Sequence, residues 1–342
     1  MDQQALQKAV SDRVWQAIRQ PDQPVKSAGL QNSVPESAHS WLCSAAQHFG
    51  ADESQQQEFA TTGLLALDAL HVIMICQSEE PVPLWLAFGC LAAPDALRPE
   101  VWREALLRIN DVAMAMNGIS LSVEETGTAT LIKRLPTEMI DSPDELATLM
   151  NDFNSLSSSL VDLILSFGQQ PSQETSAVQT TPPIPEWVAG WQQKTASRTD
   201  ALVRQAVKTE WHYPLIHQAL LHLRLSGDHA LFEGCFCQLR FPERIMAITA
   251  DGDRRHLLIS TPLDLEPIPA ASQLHCLQAN GELYVLTNCS LTLCGETIHL
   301  VSRWDTQGLD GEDFASWLAD FMTLSVAFDR RHQTWPDLEE QS

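Results

Sequence analysis

Along residues 98–117 apolar positions recur every three or four residues, with Val101, Ala105, Ile109, Val112 and Met116 on one side. That spacing predicts a helix with one greasy face. Upstream, residues 39–49 predict a short amphipathic helix stopped by Gly50. Three runs rich in bulky and β-branched residues follow, 58–70, 71–77 and 83–91, and predict strands. Residues 119–123 and 129–135 predict a hairpin about Glu124-Glu125-Thr126-Gly127. Ser142-Pro143-Asp144-Glu145 is a capping box with proline at the first helical position, and it opens a long helix carrying Leu146, Leu149, Met150, Phe153, Leu156, Leu160 and Leu163 on one face.

The second half repeats this order. A helix over 214–225 precedes strands over 230–241, 244–250 and 256–263. A shortened apolar piece, 270–279, stands where the middle helix was, and 283–293 with 297–304 predict a hairpin around Cys294-Gly295. Asp310 caps a last helix with Phe314, Trp317, Leu318, Phe321, Leu324 and Phe328 on one face. Arg134-Leu135-Pro136-Thr137 lies over Arg303-Trp304-Asp305-Thr306 at an offset of 169, and Asn110 lies over Asn280. The chain therefore reads as a tandem duplication of an α-β-β-β-α-β-β-α unit of about 130 residues, of α+β class.

Between the copies, residues 169–197 are rich in Pro, Ser, Thr and Gln, and predict an extended linker. Trp187 and Trp191, four apart in its tail, suit one docked helical turn. The expected organisation is an N-terminal helix and linker (1–38), a first domain (39–168), the linker, a second domain (198–332) and an acidic tail (333–342).

Composition narrows the function. Asp and Glu number 44 against 21 Lys and Arg, a net charge of −23 over 342 residues. Residues 1–170 carry 22 acids and 9 bases, and 171–342 carry 22 and 12, so both halves are acidic. A phosphate-reading protein needs a basic face, which argues against nucleic acid and against an anionic membrane surface. The longest nearly apolar run, 64–76, is broken by Asp68 and His71 and is too short to span a bilayer. The opening Met1-Asp2-Gln3-Gln4 has neither a basic leader nor an apolar core, which predicts a cytoplasmic protein whose eight cysteines stay as thiols.

Catalytic signatures are missing from the sequence. It has no G-x-S-x-G, no phosphate-cradling G-x-x-x-x-G-K-S/T and no G-x-G-x-x-G. Cys235-Phe236-Cys237, read as part of one strand, would put both thiols on one face. Cys289, Cys294, His275 and His299 lie elsewhere in the same repeat, without the two tight ligand pairs that structural zinc wants. Glu79-Glu80, Glu124-Glu125 and Asp310 with Glu312-Asp313 sit at turns and helix starts, where solvation and capping account for them. His212, His217 and His222 are spaced by five and share no helical face, which predicts surface or boundary positions. No enzyme, metal or cofactor is expected.

Three features resemble the class I chaperones of type III secretion, small acidic proteins that hold secreted effectors. Leu106-Leu107-Arg108-Ile109-Asn110 is similar to their leucine-rich middle helix running into an Asn. The hairpin ending Lys133-Arg134-Leu135-Pro136 is similar to their strand ending in an Arg-Leu-Pro-like turn, and the helix from Asp144, with its counterpart over 314–328, is similar to their last helix. The resemblance covers residues 39–168 and 212–332. It implies a non-enzymatic bacterial protein that wraps the extended N-terminal segment of an effector by strand addition and apolar pockets. Family members are homodimers paired through the middle helix, so one double-length chain implies an intramolecular pseudo-dimer that is monomeric in solution. Val101, Ala105, Ile109, Val112 and Met116 are then its pairing residues, in an interface made asymmetric by the short second middle helix. Leu42, Phe49, Phe59 and Leu131 in the first copy, with Leu220, Leu223, Leu231 and Phe232 in the second, are the candidate effector contacts. A second reading is a regulator or assembly factor that binds a component of the secretion apparatus, with the extra helix over 2–19 as its recruiting element.

Overall fold

A computed structural model describes residues 34–67, 70–78, 84–94, 97–124, 127–136, 139–168, 210–241, 244–263 and 270–328. The expected helix over 2–19, the linker over 169–197 with Trp187 and Trp191, and the tail over 333–342 lie outside them.

The first repeat holds α1 (His39–Phe49), α2 (Glu53–Thr62), β1 (Leu64–Ala66), β2 (His71–Ser78), β3 (Leu84–Leu91), α3 (Pro99–Asn117), β4 (Ser120–Val123), β5 (Ala129–Arg134) and α4 (Pro143–Gly168). The second holds α5 (Tyr213–His222), β6 (Ala230–Glu233), β7 (Phe236–Arg240), β8 (Ile245–Ala250), β9 (His256–Pro262), α6 (Ala270–Thr287), β10 (Cys289–Cys294), β11 (Thr297–Asp305) and α7 (Gly311–Ala327). The fold is α+β with two antiparallel sheets, in the orders β1-β2-β3-β5-β4 and β10-β11-β9-β8-β7-β6.

Three sequence expectations are corrected. Residues 58–70 form no single strand: Asp52 accepts from the Gln55 amide while the Gln55 side chain accepts from the Asp52 amide, and this capping box starts α2. Phe59 points inward from α2 and is fully buried, so the apolar run that mimicked a strand belongs mostly to a helix, with only Leu64–Ala66 left as β1. Residues 230–241 are two strands, not one, because Gly234 at φ 60° makes a two-residue hairpin turn with Cys235. Cys235 therefore sits in the turn and shares no strand face with Cys237. The second middle helix is not shortened: α6 runs 18 residues against 19 in α3, and the strand expected from 283 begins at Cys289. Tyr284-Val285-Leu286-Thr287 has strand-like composition, but Leu283 and Tyr284 are buried by tertiary packing that holds the segment helical. Each repeat thus carries one element more than the expected unit near its start, a helix (α2) in the first and a strand (β6) in the second.

The chain divides into two compact units. One comprises Met1–Gly168 with Pro267–Glu296, the other Gln169–Glu266 with Thr297–Ser342. In the first unit α1 packs on α4, and Phe153 of α4 lies over Gly89 of β3, where a Cβ would stand 3.0 Å from the ring. The core there gathers Leu42, Phe59, Leu106, Leu121, Leu131 and Phe153. In the second unit α5 packs on α7 over one sheet face. Cys237, Leu239, Met246, Ile248, Leu257 and Ile259 point into that core, while their neighbours Gln238, Ala247, Thr249 and Leu258 stay at least partly exposed. That alternation is what a sheet covered on one side produces.

Candidate functional site

Two surfaces carry the functional argument. The first lies within the first unit, where α3 and β4 meet α6 and β10. Asn110 accepts at Oδ1 from the Leu121 amide at 2.8 Å and donates through Nδ2 to the Leu291 carbonyl at 2.8 Å. Asn280 accepts at Oδ1 from the Leu291 amide at 2.7 Å and donates through Nδ2 to the Leu121 carbonyl at 3.0 Å. Each Asn therefore takes its amide from the strand eleven residues downstream in its own repeat and donates to the same strand of the other repeat, and Asn280 Nδ2 also reaches the Leu291 carbonyl of its own repeat at 3.0 Å. Ser120 and Ser290 join at the centre with their hydroxyls 2.8 Å apart, and Asn110 also donates to Ser290 at 2.6 Å. All four side chains are fully buried. The exchange is reciprocal, between residues 170 apart in one chain.

Local backbone geometry repeats at the same offset. Gly118 (φ 60°) and Asn288 (φ 58°) end the two middle helices in the left-handed region, and their amides bond back to the Met114 and Tyr284 carbonyls. One difference sharpens the fit. Tyr284, in the place of Met114, donates its hydroxyl to the Gly118 carbonyl at 2.5 Å. Beside it, Gly281 lets α6 approach β4 closely, since a Cβ there would stand 3.2 Å from the Ser122 hydroxyl.

The second surface is the outer edge of the second unit's sheet, at β6. Phe232 lies beneath Tyr213 and His217 of α5, with ring centroids 4.3 and 4.7 Å away. The Tyr213 hydroxyl donates to the Gly234 carbonyl at 2.9 Å and ties α5 to the hairpin turn. His212, at the start of α5, is fully buried between Trp211 and Tyr213, and neither ring nitrogen has a hydrogen-bond partner. Burial lowers its pKa from 6.5 to about 4, so the imidazole is neutral at pH 7. The expectation of a surface or boundary position is wrong for His212, while His217 and His222 are exposed.

The anticipated contact residues fall into two groups. Leu42, Phe59, Leu131 and Leu220 are core residues with almost no exposed surface. Phe49, Leu223 and Phe232 are half-buried and Leu231 is exposed. On α3, Val101, Ala105, Ile109 and Met116 are half-buried and Val112 is exposed. The buried face of that helix is Trp102, Leu106, Leu107, Asn110, Ala113 and Met114. Sequence reasoning paired Asn110 with Asn280 as a mark of duplication but missed both as contacts. A buried-facing Asn following a Leu-Leu pair was the available signal. Leu221 was also missed, since an apolar residue in an apolar helix looks like core.

All eight cysteines are free thiols, and burial pushes Cys237 and Cys276 up to about 12, far from a reactive thiolate. Among the described residues no three His, Cys, Asp or Glu side chains converge as a metal site, and no helix is long and apolar enough to cross a membrane.

No protein-family model matches the sequence, and no curated protein does. Two solved structures align with about a third of the chain. One is the HopA1–SchA chaperone–effector complex, at 16% identity over 34% of this chain and 92% of that chain, with a TM-score of 0.29. The other is the ExoT–SpcS complex from Pseudomonas aeruginosa, at 19% identity over 35% of this chain and 98% of that chain, with a TM-score of 0.27.

Proposed function

We propose that this protein is a type III secretion chaperone in which one chain supplies both halves of a pseudo-dimer. It holds the extended N-terminal segment of a secreted effector in a soluble, secretion-competent form. The observation that carries the reading is the reciprocal pairing of Asn110 and Asn280 with Leu121 and Leu291. It is the contact that two copies of one module make when each offers the same patch, and it falls on the middle-helix and hairpin segments whose sequence resembles the chaperone family. The acidic composition and the repeated α+β element order point the same way.

Val101, Ala105, Ile109, Val112 and Met116 flank this contact on α3 and serve as its supporting face. Among the candidates, those with surface to offer a client are Leu231, Phe232 and Leu223 in the second copy and Phe49 in the first. Leu42, Phe59, Leu131 and Leu220 act by shaping the elements that carry the contacts. Main-chain hydrogen bonds supply affinity and alternate side chains supply selectivity. Net charge far from zero keeps a protein with exposed apolar edges soluble between clients.

The test is co-expression with the N-terminal segments of candidate effectors from the same genome. A one-to-one complex is expected in which that segment resists protease. A folded, monodisperse protein that protects none of them sinks the reading.

A further inference from the structure

The repeats differ most where each sheet begins. In the first, α2 stands between α1 and the sheet, β1 is three residues long, and Leu65 is buried. In the second, β6 takes that place in the chain and forms the last strand of its sheet. Glu233 and Phe236 close the two-residue turn, so they exchange both hydrogen bonds, as do Leu231 and Gln238. Phe232, opposite Cys237, falls between those bonded pairs. Its N–H and C=O therefore point away from β7, toward the open edge. Apolar surface flanks that edge above and below. Leu231 is 52% exposed on one face. On the other, Tyr213, His217 and Leu221 follow at i, i+4 and i+8 along α5, and Leu221 is 74% exposed. These are the two most exposed large hydrophobic side chains among the described residues, and none of that class is exposed along α1, α2 or β1.

Resting on the chaperone reading above, we infer that client binding is one-sided. An extended basic and apolar segment adds as a strand to the β6 edge of the second repeat, while the first repeat, whose α1, α2 and β1 carry no exposed large hydrophobic side chain, acts as support. An added strand would send alternate side chains toward Leu221 and toward Leu231. Asp228 and Glu233, both exposed, bracket β6 and make no ion pair among the described residues. They favour basic residues at both ends of the segment. A second copy is the poorer occupant, because two chains of net charge −23 repel.

The experiment uses the full chain and reduced lysozyme, a basic unfolded probe, with light scattering as the readout. Wild type is expected to suppress its aggregation, and to suppress that of reduced α-lactalbumin, an acidic probe, less well. Leu221→Asp and Leu231→Asp, both at exposed positions, are expected to raise the amount needed for half-suppression about tenfold, because each sets an unpaired charge against apolar client surface. Ala66→Asp, on the exposed edge of the first repeat, is expected to match wild type. Wild type that suppresses nothing overturns the chaperone reading and this inference together. Suppression that survives both second-repeat variants, or is lost in Ala66→Asp, overturns the one-sided assignment alone. A wild-type dimer that Leu231→Asp makes monomeric would give the edge to a second copy. Residues 1–33 turning protease-sensitive only in Leu231→Asp would give it to the chain's own segment. Either result overturns the client assignment.

Discussion

The two repeats agree at their middle helices and disagree at their beginnings. From 110 to 121 and from 280 to 291 each Asn accepts from the amide eleven residues on and donates to the equivalent carbonyl of the other segment, at a fixed offset of 170, and a left-handed residue ends each helix. Before the sheet, one repeat builds a helix and the other a strand. The reason lies in what each region must satisfy. A buried reciprocal contact ties both copies together, since a change in either Asn strands polar groups in the other strand as well. A surface edge has no such partner and can change alone.

The largest expected effect breaks the agreement. Asn110→Leu and Asn280→Leu should each cost about 2–4 kcal/mol, because the first removes the partner of the buried Leu121 amide and the second removes the partners of the Leu291 amide and the Leu121 carbonyl. Urea unfolding midpoints measure this. Similar losses support equivalence, and a loss confined to one variant would show that the symmetry is only geometric.

A smaller effect marks the disagreement. Ala38 precedes α1 where His212 precedes α5, so acid sensitivity from this position belongs to the second repeat alone. The folded pKa of His212, about 4, lies below its ordinary 6.5, so the unfolded chain binds more protons between these values. Its contribution is complete above about pH 6.5 and is lost as pH falls toward 4, about 3 kcal/mol in all. His212→Phe should flatten the pH dependence of the unfolding midpoint over that window.

Smaller again is the cap of α7. Asp310 accepts from the Glu312 and Asp313 amides at 2.8 and 2.9 Å, whereas α3 starts on Pro99 with no side-chain cap. Asp310→Ala should cost about 1 kcal/mol. Arg98→Ala at the uncapped start should shift the thermal midpoint far less.

Much of this was legible from residue order. Helical spacing marked α1, α3, α4 and α7, and the hairpin residues marked β4 and β5, because one-sided burial imposes a period that local sequence must carry. The misses share a cause. α2 and the second half of α6 carry strand-like or mixed composition and hold their form through buried contacts of Phe59, Leu283 and Tyr284. The turn at Gly234-Cys235 has no strong loop neighbours, so β6 and β7 read as one strand. Among the anticipated contact residues, apolar character could not separate Leu220, buried, from Leu221, exposed, since hydropathy ranks them alike.

The sequence by itself determined the α+β class, the acidity of both halves and the alignment of Asn110 with Asn280 in a shared order of elements, because these rest on composition, period and offset. Only the tertiary structure decided that the two Asn side chains cross to each other's strands, that His212 is sealed from water, and that Leu221 and Leu231 stay exposed beside β6 while α1, α2 and β1 expose no large hydrophobic side chain. Those outcomes depend on which residues distant in the chain come within a few ångströms, and no local pattern encodes that distance.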